Sequence, residues 1–168
     1  MNAFQQKYSK EIEKVLTKYP AERKQSAVMP LLYLAQREGG FVTKQDMFDI
    51  GEILEMTSTE VASIVGFYTL YHEKPGGKIR IQVCNDLSCA LRGADDFLEQ
   101  LCEAVGIRPG ETTADGLISI EAVMCLASCD KAPMFQTQSA DGIEYHENMT
   151  VENTLGLIET WKKQGKGG

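Results

Sequence analysis

Four cysteines occur in two closely spaced pairs, Cys84 with Cys89 and Cys125 with Cys129. Four thiolates brought to one place bind a soft cation, so the candidates are a zinc ion and an iron–sulfur cluster. The loops between paired cysteines are short and mostly small or polar, and such loops can direct backbone N–H groups at cluster sulfides. The pattern therefore favours a cluster, and one-electron transfer rather than bond-making on a substrate.

The spacing C-x4-C followed by C-x3-C leaves other chemistry open. Structural zinc also accepts four thiolates, although its commonest hairpins use C-x2-C. Disulfides are less expected in a chain without a secretory signal, and a thiol–disulfide exchange enzyme would need C-x-x-C, which this sequence lacks. The plant-type ferredoxin spacing C-x4-C-x2-C is also absent. In a two-iron cluster, we expect Cys84 and Cys89 to bind one iron, and Cys125 and Cys129 the other.

The fifth cysteine and the two histidines are not predicted to join this site. Cys102 lies on the apolar face of a predicted helix, where a free cysteine behaves as a small hydrophobic residue, so we expect it in the core. His72 and His146 have no spacing suited to completing a metal site, and we assign them no role.

The first half of the chain shows helical periodicity. Apolar residues recur at helical spacing over residues 12–19, 28–35, 47–54 and 61–65, which predicts four short helices. Thr43 and Thr57 each precede an acidic residue at the third following position, the pattern of a capping box. The turn Pro75-Gly76-Gly77 ends this region. We therefore predict an N-terminal helical domain over residues 1–75.

The second half alternates between strands and helices. The sequence predicts a strand ending at Cys84, a helix over residues 94–105 and a strand ending at Cys125. A hairpin around Ala140-Asp141-Gly142 and a last helix capped by Thr150 follow. This order indicates an α/β (α+β) fold that resembles thioredoxin, over residues 78–163, with a tail over 164–168. Each cysteine pair then begins at the end of a strand.

Composition excludes several classes of function. The chain is 43% hydrophobic and 24% charged, and no apolar run approaches the roughly 20 residues that a membrane span needs. The net charge is −7 and the basic residues are scattered, which argues against a nucleic-acid partner. With no secretory signal visible, we expect a cytoplasmic protein without direct membrane insertion.

The cysteine loops and their surroundings resemble one known family, the thioredoxin-like [2Fe–2S] ferredoxins. The segments that match are residues 83–89, 91–94, 106–113, 115–116, 125–126, 129–130, 132–133, 145 and 147–150, with further likeness at 19–20, 30–36 and 66–68. The resemblance therefore covers nearly the whole chain. It implies a thioredoxin-like ferredoxin domain preceded by a small helical domain.

The resemblance implies that Cys84, Cys89, Cys125 and Cys129 ligate a [2Fe–2S] cluster, and that the chain has no catalytic residues of its own. It also implies an electron-transfer subunit beside a larger flavoprotein that binds FMN and NADH, in the cytoplasmic peripheral arm of NADH:quinone oxidoreductase (respiratory complex I). The equivalent subunit of an NAD-dependent hydrogenase or formate dehydrogenase is the alternative. A zinc-stabilised interaction module is the rival of a different class.

Two positions depart from the family pattern. Ala127 stands where the Cys-Leu-Gly-x-Cys loop usually has glycine, and Ala114 stands where proline is common. The methyl group of Ala127 is tolerated without strain only if the backbone there has a negative φ.

Several further residues have two interpretations. Arg92 and Lys131 either raise the reduction potential of the cluster or are ordinary surface cations. Pro133 opens a strand in the kind of place where thioredoxin-like folds have a cis-proline, whereas most X-Pro bonds are trans. Phe67, Tyr68 and Tyr71 either form a docking edge or pack in the core, and helical spacing favours the core.

Overall fold

The computed structural model describes residues 1–165. The chain divides into two compact units, residues 1–75 and the residues from 76 onward. The division falls in the Pro75-Gly76-Gly77 turn, where Gly77 closely approaches the sheet of the second unit, to which it belongs. A Cβ at Gly77 would lie 2.5 Å from the carbonyl carbon of Ile118, and its N–H donates to Oγ of Ser119 at 2.5 Å. Only glycine fits there without displacing the neighbouring backbone.

The first unit is helical. Its helices are α1 Ala3–Lys7, α2 Ser9–Leu16, α3 Val28–Gly39, α4 Lys44–Leu54 and α5 Ser58–Phe67, with a 3₁₀ segment over Ala21–Ala27. The predicted capping boxes are confirmed, because Thr43 and Thr57 accept from the N–H groups of Asp46 and Glu60. The apolar stripes meet in one core that contains fully buried Leu31, Leu32, Ile50, Leu54 and Val61.

The helical predictions for the first unit were wrong in two respects: one helix was missed, and another was predicted to end too late. Helix α1 was missed because five residues are too few to show periodicity, although Asn2 and Gln5 form a capping box that marks its start. Helix α2 ends at Leu16, before the predicted last residue Tyr19. Tyr19 still packs against the helical core from the following turn.

The second unit contains a four-stranded sheet. Its elements are β1 Ile79–Cys84, α6 Leu87–Ala90, α7 Ala94–Val105, β2 Ile118–Val123, β3 Phe135–Ser139, β4 Gly142–His146 and α8 Val151–Gly165, with a 3₁₀ turn over Cys129–Lys131. The strand order is β2-β1-β3-β4. Strands β1 and β2 are parallel, and the other neighbours are antiparallel. This architecture matches the predicted α/β (α+β) class.

Apolar residues of the sheet and of two helices form the core of this unit. Ile81 and Val83 of β1 pack with Phe97 and Leu101 of α7 and with Ile158 of α8. The remaining buried members include Leu98, Cys102, Ile118, Ile120 and Phe135. Helix α7, which lies between β1 and β2 in the chain, therefore covers the two strands whose ends lead into the cysteine loops.

The polar residues of β1 are buried, although alternation predicts that they face solvent. Arg80 pairs with Glu121 at 2.7 Å, and Gln82 accepts from Nε2 of Gln136 at 2.6 Å. Arg80 and Gln82 are 7% and 2% exposed. Because buried polar groups need partners, these side chains satisfy one another across three strands.

The strand and helix ends differ slightly from prediction. Strand β2 stops at Val123 rather than at Cys125, so the second cysteine pair begins two residues beyond the sheet. Helix α8 continues through Gln164 to Gly165, which overlaps the predicted tail, and residues 166–168 of that tail lie outside the described residues. Within residues 1–165, no helix has the length and apolar character needed to cross a membrane.

Candidate metal centre

The first cysteine pair belongs to regular structure. Cys84 is the last residue of β1, and its N–H donates to the carbonyl of Met134 at 3.2 Å. Helix α6 starts after Asp86, whose side chain accepts from the N–H of Leu87 at 2.9 Å, and contains Cys89. Cys84 and Cys89 are each 1% exposed. Their backbones are therefore fixed by the sheet and by a capped helical turn.

The second pair lies at the same edge of the sheet. In the parallel register Cys84 lies opposite Val123, and the N–H of Asn85 donates to the carbonyl of Val123 at 3.2 Å. Cys125 follows two residues later, and Cys129 begins a 3₁₀ turn. The Sγ atoms of Cys125 and Cys129 are 3.6 Å apart. Because β1 and β2 are parallel neighbours, their C-terminal ends bring both loops to one place.

The sulfurs of the two loops influence one another. Burial raises the pKa of the Cys89 thiol to about 12, with further contributions from the hydrogen bond to Cys84 and from the charges of Cys84, Cys129 and Cys125. The pKa of Cys129 is also raised, mainly by the hydrogen bond to Cys125 and then by burial. A hydrogen bond to Ser88 of the first loop acts in the opposite direction and lowers the pKa of Cys129. A metal that binds these sulfurs must displace their protons.

The donor set fits a two-iron cluster. The four thiols form two hydrogen-bonded pairs, Cys84 with Cys89 and Cys125 with Cys129. A [2Fe–2S] cluster likewise has two cysteine ligands at each iron. In the part of the chain that the structure describes, no three Cys, His, Asp or Glu side chains are grouped as one metal ion requires. The N–H of Ala127 also donates to Sγ of Cys125 at 3.4 Å, the kind of hydrogen bond that such clusters receive.

Ala127 has the backbone conformation that the sequence left undecided. Its φ is +61°, in the left-handed region that favours glycine. The departure from glycine therefore introduces strain into the loop between Cys125 and Cys129. Pro133, which follows this loop, is preceded by a cis peptide bond, a state that the sequence left open.

The two cations near the site have partners. Lys131 forms an ion pair with Glu147 at 3.0 Å. Nε of Arg92 donates to the carbonyl of Ala132 at 3.3 Å, which links the end of α6 to the second loop. Sequence reasoning missed Glu147 as a neighbour of the loop, although Glu147-Asn148 belongs to the segments that resemble the family.

The other residues singled out from the sequence are a buried cysteine, a stacked histidine and three aromatic residues of the first unit. Cys102 is 4% exposed in the core of the second unit, as predicted. The ring of His146 stacks on Phe135 with centroids 4.7 Å apart. The core interpretation is wrong for Phe67, which is 77% exposed, and for Tyr68, whereas Tyr71 packs partly against the helical core.

Large exposed apolar side chains lie next to the cysteines of the site in sequence. Leu87, Leu91 and Met124 are 71%, 81% and 73% exposed, and each lies within two residues of a cysteine of the site. Cys125 is also exposed. Exposed apolar side chains next to a cofactor site are typical of a surface that a partner protein covers.

Comparison with known proteins identifies relatives of this chain. Residues 12–162 match the family model described as thioredoxin-like [2Fe-2S] ferredoxin. NADH-quinone oxidoreductase subunit 2 of Thermus thermophilus is 38% identical over 152 residues, covering 90% of this chain and 84% of the relative. An NADH-quinone oxidoreductase subunit of Rhizobium meliloti is 36% identical over 152 residues, covering 90% of this chain and 87% of the relative.

A solved structure has a similar fold. The crystal structure of NAD⁺-reducing [NiFe]-hydrogenase in the air-oxidized state aligns with a TM-score of 0.64 and 21% sequence identity. The alignment covers 82% of this chain and 23% of the hydrogenase chain. At this identity the likeness shows a shared fold alone.

Proposed function

This chain belongs to the thioredoxin-like [2Fe–2S] ferredoxin family, and on that basis we propose that it is the electron-carrying [2Fe–2S] subunit of an NADH-quinone oxidoreductase. The observation that supports this most directly is the placement of two cysteine pairs at the ends of adjacent parallel strands, where Cys84 lies opposite Val123. Relatives at 38% and 36% identity are named as subunits of that enzyme and are covered over most of their length.

Cys84 and Cys89 would hold one iron of the cluster, and Cys125 and Cys129 the other. When bound, such a cluster accepts and returns single electrons. The chain contributes burial of the first pair and a backbone N–H donated to Cys125 by Ala127. Both features help to set the reduction potential of a cluster.

The partner would be a flavoprotein subunit that binds FMN and NADH. The sequence of this chain has neither G-x-G-x-x-G nor the P-loop pattern, so the nicotinamide and flavin sites are assigned to the partner. The exposed side chains of Leu87, Leu91 and Met124 give that partner an apolar surface next to the cluster ligands. The chain alone would have no catalytic activity.

The assembly would be the cytoplasmic peripheral arm of a membrane-associated complex, with other arm subunits as further neighbours. The equivalent subunit of an NAD⁺-reducing hydrogenase is the second candidate, because such a hydrogenase shares the fold at a TM-score of 0.64. The higher identity of the quinone oxidoreductase relatives favours the first.

Metal analysis of the purified chain tests the proposal. We expect two irons and two acid-labile sulfides per chain, and an EPR signal of a two-iron cluster after reduction. Co-expression with a flavoprotein encoded beside it should give a complex that reduces the cluster with NADH. Bound zinc without sulfide would reject the cluster, and a cluster in a complex that takes up hydrogen would favour the hydrogenase assembly.

A further inference from the structure

One carboxylate contacts the second cysteine loop on both sides of Cys129. Oγ of Ser128 donates to Oε1 of Glu147 at 2.6 Å, and Nζ of Lys131 donates to Oε2 of the same residue at 3.0 Å. Glu147 lies just after strand β4, far from the loop in sequence. The two oxygens of one side chain therefore hold the residues that flank a cysteine of the site.

The backbone next to Glu147 adds two further links. The N–H of Asn148 donates to the carbonyl of Lys131 at 2.7 Å, and the N–H of Met149 donates to the carbonyl of Pro133 at 2.8 Å. Asn148 has a φ of +52°, a conformation that asparagine tolerates better than most residues. Residues 147–149 thus form a clamp on the segment from Ser128 to Pro133.

The two cysteine pairs differ in the amount of regular secondary structure around them. Cys84 and Cys89 lie in a strand and a helical turn, whereas Cys125 and Ala127 lie in a loop, with Cys125 exposed and Ala127 in a strained conformation. Cys129 begins a 3₁₀ turn of three residues. The second pair therefore depends more on contacts from outside its own segment, and Glu147 makes two of them.

Glu147 also sets the local charge. Its carboxylate balances the ammonium group of Lys131, so the pair as a unit adds no net charge beside the cysteines. The hydrogen bond from Ser128, followed by that from Lys131, holds the pKa of Glu147 below its ordinary value, so its carboxylate keeps its charge to a lower pH than an ordinary glutamate.

We propose that Glu147 is a positioning residue of the cluster site: it holds the loop of Cys125 and Cys129 in place and cancels the charge of Lys131 there. This rests on the proposed ligand roles of the cysteines. Loss of an outer-shell residue that positions a metal ligand typically costs about 10–100-fold in metal affinity. The removal of a negative charge beside a cluster favours its reduced form, because reduction adds negative charge.

The test uses the full chain with its cluster, and compares Glu147→Ala and Glu147→Gln with the control Glu144→Gln. Glu144 is an exposed glutamate on β4, so the control makes the same change of charge away from the loop. We expect Glu147→Ala to lose iron to a chelator about tenfold faster than wild type. A rate equal to that of the control would overturn the positioning role.

The reduction potential separates the electrostatic role from simple loss of structure. We expect Glu147→Gln to raise the potential, Lys131→Gln to lower it, and the double variant to return close to the wild-type value. A potential that does not rise in Glu147→Gln, or that rises equally in Glu144→Gln, would overturn the charge-cancelling role.

Hydrogen–deuterium exchange makes the test independent of the cluster. In chain from which iron has been removed, Glu147→Ala should increase exchange severalfold over residues 126–131 and leave α7 unchanged. Unchanged exchange in the loop would overturn the clamp. If wild-type protein contains no iron and sulfide, the proposed function fails, while exchange in the loop still decides whether Glu147 holds it.

Discussion

The N–H of Ala127 donates to Sγ of Cys125 at 3.4 Å from a backbone with φ of +61°. A left-handed conformation costs an L-residue about 1–2 kcal/mol, because its Cβ approaches the following carbonyl oxygen. Glycine would make the same hydrogen bond without this cost. Alanine at this position therefore makes the loop less stable than glycine would.

Ala127→Gly should stabilise the second unit by about 1 kcal/mol, since relief of strain exceeds the entropy that glycine loses on folding. Trp161, the single tryptophan, lies in α8 of that unit, so its fluorescence during urea denaturation measures the change. Ala140→Gly is the matched control. Ala140 is exposed in the β3–β4 turn and is not among the residues with positive φ, so there we expect a loss of stability. Equal effects at both positions would contradict the strain argument.

Single replacement of any proposed ligand by alanine should abolish or greatly reduce bound iron and sulfide, because a two-iron cluster needs two thiolates at each iron. The residues are Cys84, Cys89, Cys125 and Cys129. Cys102→Ala is the control. Its thiol is buried in the core, so we expect a full two-iron EPR signal with a modest loss of stability. A normal cluster in Cys125→Ala would remove that residue from the ligand set.

Removal of iron should expose thiols of very different reactivity. The pKa of Cys89 is raised to about 12, so only about one molecule in ten thousand has the thiolate at pH 8. Cys89 is also buried, whereas Cys125 is exposed. We expect iodoacetamide to modify Cys125 well before Cys89, as read by peptide mass spectrometry over time. Urea should remove the difference, and modification of Cys89 first in native protein would contradict the structure.

Ala114→Pro should stabilise the second unit by about 0.4–1 kcal/mol. The N–H of Gly116 donates to the carbonyl of Thr113 at 2.8 Å, which closes a turn with Ala114 at its second position. Proline is favoured at that position because its φ is already fixed near the required value. The urea midpoint of Trp161 fluorescence measures the gain. Asp115→Pro is the control and should destabilise, since proline at the third position disturbs the residue before it.

The stability of the second unit should fall as the pH drops below neutrality. Burial lowers the pKa of His146 from its ordinary value of 6.5, although the charge of Glu144 opposes this. Below pH 6.5 the unfolded chain therefore binds more protons at this residue, and stability falls as pH decreases toward the lower folded pKa. His146→Gln should show a smaller loss between pH 7.5 and 5.5 in urea denaturation. An unchanged pH dependence would mean that other groups cause it.

Local chemistry made much of this protein predictable from its sequence. The cysteine spacing predicts a four-thiolate site, and the capping boxes at Thr43 and Thr57 mark the starts of α4 and α5. These features depend on residues within a few positions of one another, so the sequence determines them before the chain folds. The cofactor is implied by the resemblance to the ferredoxin family, whose matching segments include the cysteine loops.

Tertiary structure decided the rest. The parallel pairing of β1 and β2 brings Val123 beside Cys84, and the sign of φ at Ala127 follows from the path of the loop that leaves β2. Glu147 pairs with Lys131 from a different segment, and buried Gln82 accepts a hydrogen bond from Gln136 of the neighbouring strand. The contacts of Cys84 with Val123, of Glu147 with Lys131 and of Gln82 with Gln136 each join residues far apart in sequence. The pattern of side chains along one segment cannot specify such contacts, because they form only when the segments pack together.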